Sequence, residues 1–215
     1  MDQVREKPWL AHYDPGVPPE IQVPDIPLWR FLEESARRFP QNVALEFLGK
    51  TLSYQELWGL ARRFAQGLKD LGVRPGDRVA IMLPNSPQFV IAFYGTLLAG
   101  GVGVNVNPLY TPRELRHQLA DAGAETLVIL DHLLPRYLEV EKEVPVKRVV
   151  VTGIKDFLPF PKNLLYPLKA KRDGLPLGFP KREGFHAFAE LLKRPPAEPH
   201  VPDPEDLALL QYTGG

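Results

Sequence analysis

The sequence predicts an α/β fold, a mostly parallel sheet with flanking helices. Three observations carry that prediction. From Arg78 to Thr152, short apolar runs of strand length alternate with helical stretches, the order that right-handed crossovers between parallel strands produce. The run Arg78 to Leu83 is apolar on both faces, as a strand covered above and below must be. Two helices announce their starts with paired capping residues, Ser53 with Glu56 and Thr111 with Glu114.

Residues 1–26 read as an extended arm, because Pro8, Pro15, Pro18, Pro19 and Pro24 forbid a long helix. Leu28 to Phe39 reads as a helix and Val43 to Phe47 as a strand. Behind Ser53, the residues Leu57, Leu60, Ala61, Phe64, Leu68 and Leu71 recur at helical spacing. Gly72 ends that helix, and Pro75-Gly76-Asp77 is a turn. Pro87 to Ala99 is a helix apolar nearly all round, hence buried on more than one side. Val102 to Val106, Thr126 to Leu130 and Lys147 to Thr152 read as strands. Thr111, Pro112 and Glu114 open a helix, and Asp131 caps a short one.

The rhythm breaks at 153–184, an irregular insertion. Between Lys155 and Glu183 lie seven Lys/Arg and three Asp/Glu, with Phe157, Phe160, Tyr166 and Phe179 among them. Its prolines argue against one continuous amphipathic helix. The stretch is read as a solvated insertion, with weak contact to an anionic membrane surface as the other reading. Gly184 to Lys193 reads as a short helix, 195–204 as a proline-rich linker, and Leu207 to Tyr212 as the last strand.

Composition narrows the function. Lys+Arg and Asp+Glu both total 26, so the formal charge is zero, and no basic stripe points to nucleic acid. Without cysteine there is no disulfide, thiolate nucleophile or cysteine metal site, which fits a reducing cytoplasm. The N-terminus lacks the apolar core of a signal peptide. Phe89 to Val104 is too short and too punctuated by glycine to span a membrane. The histidines, His12, His117, His132, His186 and His200, show no metal-binding spacing, and no metal ligand or catalytic residue is assigned. Gly100, Gly101 and Gly103 precede a strand instead of linking strand to helix, the wrong context for a dinucleotide loop.

Two joints remain. Asn105 to Leu115 runs from a strand end through asparagines and a proline into a doubly signalled helix, and open α/β sheets bind ligands at such edges. At the other joint, Leu209 and Leu210 lead through Gln211 into Tyr212, Thr213, Gly214 and Gly215. Glycines there let backbone N–H groups turn toward an anion, and the threonine hydroxyl adds a donor.

Taken in order, Gly76 to Ala80, Leu83-Pro84-Asn85, Asn105 to Leu115 and Leu210 to Gly215 resemble the AMP-forming acyl-CoA ligases, most closely the bacterial long-chain fatty-acid–CoA ligases. The resemblance implies that Tyr212, Thr213, Gly214 and Gly215 open a phosphate loop that in the family continues Thr-Thr-Gly. It also implies ATP, Mg²⁺ and CoA as cofactors, fatty acid, ATP and CoA as partners, and an acyl-adenylate intermediate. Residues 27–215 would be part of the family's N-terminal adenylation domain, truncated at the start of the phosphate loop, with the C-terminal domain absent. On that reading these residues alone are inactive and bind none of those cofactors well. A medium-chain or aryl acyl-CoA ligase, or a non-catalytic binding module, is the alternative. A homodimer through the arm is expected, as is a cytoplasmic location, peripheral at the membrane.

Overall fold

The computed structural model describes residues 7–213. After the arm, whose described part holds a short 3-10 turn at Pro8–His12, helix α1 (Trp29–Arg38) buries Trp29, Leu32 and Ala36. A hairpin follows, β1 (Val43–Phe47) antiparallel to β2 (Lys50–Ser53). Its two-residue tip is Leu48-Gly49, both at positive φ (52° and 93°). A tight hairpin whose twist matches its strands needs that pair of angles. The second strand escaped the sequence reading because leucine is a poor marker for a left-handed position and Lys50 to Ser53 carry little apolar alternation.

Helix α2 (Tyr54–Asp70) starts where the capping box predicts. Glu56 N–H donates to Ser53 Oγ at 3.2 Å, and Ser53 N–H donates to Glu56 Oε2 at 2.7 Å. Bonds to it from the Ser53 backbone N–H and hydroxyl hold the Glu56 carboxyl below its ordinary range. Ser53→Ala removes one of them, and a urea melt is expected to show a loss of about 1 kcal/mol.

From here the chain winds β3 (Arg78–Met82), α3 (Pro87–Ala99), β4 (Val102–Asn105), α4 (Pro112–Ala122), β5 (Thr126–Leu130), α5 (Leu134–Val140) and β6 (Arg148–Thr152). Then come α6 (Lys162–Arg172), β7 (Phe185–Ala187), α7 (Phe188–Leu191) and β8 (Leu209–Gln211). The last six strands form one sheet in the order β7-β6-β5-β3-β4-β8, every neighbouring pair parallel. The chain moves from β3 out to β4 and then back past β3 to β5. Right-handed crossovers therefore put α3 and α4 on opposite faces. The packing agrees: α3 and α7 lie with α2, while α4 lies with α5.

The central strands are sealed. Val79 to Met82 and Leu127 to Leu130 are buried throughout. No residue of α3 is exposed, which is why its sequence is apolar all round. It packs on α2 at a close crossing: a Cβ on Gly95 would stand 2.7 Å from the Phe64 ring, so only glycine fits. Gly100 at φ 88° closes α3 in the left-handed conformation.

Two arginines at strand starts serve helix ends. Arg148 donates to the carbonyls of Leu71 (2.6 Å) and Gly72 (2.9 Å) behind α2. Arg78 donates to those of Ala122 (3.0 Å) and Gly123 (3.1 Å) behind α4. These cations answer the unpaired carbonyls and the negative end of each helix. They anchor the amino edge and leave the carboxyl edge free for a ligand.

Three segments differ from the sequence reading. Asp131 is buried but does not cap its short helix; its carboxylate accepts N–H groups from His132 (2.8 Å) and Gly178 (3.3 Å). The stretch around 153–184 contains α6 despite Pro167, because buried Ala170 and half-buried Tyr166 seat one side of the helix. Residues 185–187, expected as helix, pair with β6 instead, and only Phe188–Leu191 turn helical. The stretch 195–204 runs along α2 and α3, with Ala197 N–H donating to Arg62 O and His200 N–H to Leu98 O.

Candidate functional site

The carboxyl edge brings the two sequence joints together. Strand β8 pairs with β4, so Gln211 sits beside Asn105. Asn105 Nδ2 donates to Gln211 Oε1 at 2.8 Å, and Gln118 Nε2 from α4 donates to Asn105 O at 2.7 Å. One step further, Tyr212 OH donates to Asp121 Oδ2 at 2.5 Å. The end of β8 is thereby tied to β4 through Gln211 and to the flank of α4 through Tyr212.

The Asn105–Leu115 joint is built by local bonds. Asn107 Oδ1 accepts Leu109 N–H at 3.0 Å, an asparagine turn. Arg136 of α5 reaches the carbonyls of Pro108 (2.5 Å) and Tyr110 (3.0 Å). Thr111 and Glu114 close a capping box, Thr111 N–H donating to Glu114 Oε2 at 2.8 Å. That carboxylate and the Thr111 hydroxyl already satisfy free N–H groups at the start of α4. The side chains of the joint are thus engaged in organising its turn.

Between α4 and the end of β8 opens a cavity of about 700 Å³, walled by Tyr110, Arg113, Arg116, His117, Tyr212 and Thr213, with Thr111, Glu114 and Gln118. Arg113, Arg116 and His117 recur at i, i+3 and i+4, so they share one side of α4. Arg116 pairs with Glu143, and Arg113 has no ion-pair partner among the described residues. Two buried acceptors, Asn105 Oδ1 and Gln118 Oε1, have no donor. Those oxygens lie beneath the wall; the wall itself offers the Thr213 hydroxyl and the basic groups of α4, a surface able to hold an anionic group.

Of the predicted site residues, Tyr212 and Thr213 line this cavity, while Gly214 and Gly215 lie outside the described residues. Arg113, Arg116 and His117 are exposed along α4, and Tyr212 and Thr213 face them across the cavity. The spacing was visible; the juxtaposition with Tyr212 depends on the β4–β8 pairing. A second cavity, about 520 Å³, opens at the amino edge beside Trp29, Gly101 and His200. Its guanidinium, Arg78, is already spent on helix carbonyls.

Partial burial and the bond to Asp121 push the Tyr212 phenol up to about 12. A phenol whose folded pKa lies above its unfolded value of 10.0 adds stability below that value and loses it as pH rises toward about 12. In an ultraviolet titration, the difference between the protein and Tyr212→Phe is expected to show ionisation near the upper value, moving down in Asp121→Asn. A midpoint unchanged by Asp121→Asn would contradict the bond.

Residues 32–215 match the model of a family described as AMP-binding enzyme. A long-chain-fatty-acid–CoA ligase of Bacillus subtilis (strain 168) is 42% identical over 98% of this chain and 38% of the relative. One from Escherichia coli O157:H7 is 37% identical over the same shares. Among solved structures, Mycobacterium smegmatis MbtA in its apo form superposes with a TM-score of 0.71 at 31% identity, over 89% of this chain and 32% of that one. A long-chain-fatty-acid–CoA ligase of Archaeoglobus fulgidus gives 0.71 at 24% identity, over 92% and 36%, a likeness of fold. The chain thus spans about 38% of the length of the curated relatives it matches.

Proposed function

Because this chain belongs to the AMP-binding enzyme family, we propose that its carboxyl edge is one wall of the site where a long-chain fatty acid is activated with ATP and passed to CoA. The observation that carries the reading is the convergence of Thr213, Tyr212, Arg113, Arg116 and His117 on one cavity. In the first step a carboxylate oxygen attacks the α-phosphorus of ATP and pyrophosphate leaves, giving an acyl-adenylate. In the second the CoA sulfur attacks the acyl carbon, and AMP departs with the bonding electrons.

In this proposal Thr213 donates its hydroxyl to a phosphate oxygen, Tyr212 fixes the approach of the loop through Asp121, and Gly214 and Gly215 present backbone amides to the anion. The basic side of α4 favours the polyanion's arrival. The residues present do not fit a magnesium site. The cavity's carboxylate, Glu114, is engaged by Thr111, and no three His, Asp or Glu side chains converge among the described residues.

Two contacts complete the reading: a homodimer through the arm, whose described part exposes Trp9, Ile21 and Val23, and a peripheral contact with membrane. No helix of the described residues is long and apolar enough to cross one.

The test is a chimera in which these 215 residues replace the matching stretch of the Bacillus subtilis ligase. Formation of palmitoyl-CoA from palmitate, ATP and CoA is the expected result. A folded chimera that forms none, by circular dichroism and product assay together, overturns the reading. Turnover of 4-coumarate in place of palmitate would shift it to an aryl acid.

A further inference from the structure

Helix α6 turns an apolar stripe outward. Its inner side carries Ala170, buried, and Tyr166, half-buried; its outer side carries Leu164, Leu165 and Leu168 at 65%, 57% and 69% exposure. Phe160, just before the helix, is 79% exposed. Leu164 and Leu168 are one turn apart and Leu165 lies beside them, so the three leucines form one surface. Burying such a surface is what a helix of this pattern ordinarily does, and here nothing among the described residues covers it.

The rim of the stripe is basic. On the helical circuit Lys162 and Lys169 flank the leucines on one side and Lys171 on the other, with Arg172 a turn beyond Leu168. The helix contains no acidic residue. Lys169 and Lys171 have no ion-pair partner among the described residues, whereas Arg172 is paired with Asp173. Long cationic side chains flanking leucines keep their charges at a polar boundary while their stems lie along an apolar layer.

A second element joins this surface. The hairpin tip Leu48 is exposed and non-glycine at φ 52°, a conformation that a leucine adopts at a cost. Its carbonyl accepts Lys162 Nζ at 2.8 Å, so the tip sits beside the first turn of α6. The strained position presents an apolar side chain where glycine or asparagine would be easier and more polar.

We propose that α6 with the Leu48 tip is a docking face for an anionic phospholipid bilayer, the leucines and Phe160 entering the interface and Lys169 and Lys171 meeting headgroup phosphates. Charge decides this occupant. Seven Lys/Arg against three Asp/Glu between Lys155 and Glu183 suit a negatively charged sheet of headgroups, and a second copy of the same basic helix would be repelled. The face gives a surface to the membrane contact of the preceding section and rests on that part of it alone. It owes nothing to adenylation chemistry, so vesicle binding and acyl-CoA formation can fail separately.

The experiment is co-sedimentation of the chain with vesicles of phosphatidylglycerol and phosphatidylcholine in equal parts, beside phosphatidylcholine alone. Binding is expected to the anionic vesicles and to weaken with salt. Lys169→Glu and Lys171→Glu are each expected to weaken it about fivefold or more. Leu168→Ser is expected to weaken it roughly tenfold. These side chains are exposed, so circular dichroism should be unchanged, and Lys142→Glu, on an exposed turn outside α6 and the Leu48 tip, should bind as before. Leu48→Gly should bind less tightly while folding at least as stably, because glycine relieves the positive φ. No binding, equal binding to neutral vesicles, or binding indifferent to Leu168→Ser overturns the proposal. So does a concentration-dependent dimer that Leu168→Ser dissolves, which would make this face a contact between copies.

Discussion

Thr213→Ala, placed in the chimera with the Bacillus subtilis ligase, is expected to slow palmitate-dependent ATP–pyrophosphate exchange about a hundredfold. The hydroxyl stands at the end of β8, across the cavity from Arg113 and Arg116. Adenylation builds negative charge on phosphate oxygens, and a donor fixed in place stabilises that charge without reorganising. Loss of one such donor from a preorganised site lowers the rate by two to three orders of magnitude in the best-studied cases. Thr213 is exposed, so the substitution leaves the core untouched. Thr213→Ser keeps the hydroxyl and should recover most of the rate, which a merely structural methyl would not explain. Full activity in Thr213→Ala would remove the residue from the phosphate site.

Phe64→Ala is expected to cost about 4 kcal/mol of unfolding free energy. Its ring is fully buried, lies 4.6 Å from that of Phe188, and fills the space above Gly95. Alanine would leave a void where α2, α3 and α7 meet, and interiors packed this densely close such voids only in part. Urea unfolding reads the loss directly. Gly95→Val attacks the same contact from the other side, forcing a branched side chain against the ring and the Ala61 carbonyl, and is expected to cost about 3 kcal/mol. A loss below about 1 kcal/mol in Phe64→Ala would mean that the helices do not meet as described.

Much of this architecture was legible because it depends on short-range chemistry. Ser53 with Glu56 and Thr111 with Glu114 fixed two helix starts to the residue, since a capping box needs only its own four positions. Val79 to Met82 showed a strand covered on both sides, since every position is apolar. What stayed hidden depends on contacts made at a distance. Nothing local in Lys50 to Ser53 marks a strand, and its pairing to β1 rests on the conformation of Leu48 and Gly49. The prolines of the insertion argued against one continuous helix there, and α6 spans only Lys162–Arg172 of it, held by burial on the side away from solvent. Residues 185–187 became a strand because β6 offered an open edge.

The site divides in the same way. Tyr212 and Thr213 were found through a motif, which is local. Arg113, Arg116 and His117 were on view at helical spacing and are exposed, but their proximity to the motif was not, because only the pairing of β8 with β4 brings it to that side of α4. Asp121, the acceptor for Tyr212, had no sequence signal at all. It is an exposed carboxylate near the end of a helix, and its partner lies 91 residues away.

The measurement that bears most directly on the central claim is ATP–pyrophosphate exchange with palmitate and Mg²⁺, run on the chimera and on the polypeptide of these 215 residues side by side, both verified as folded. Exchange by the chimera and none by the shorter polypeptide is the expected pair of results. It would mean that this edge serves adenylation but forms only part of the machinery. Exchange by the shorter polypeptide alone, or silence from the folded chimera, would contradict the assignment.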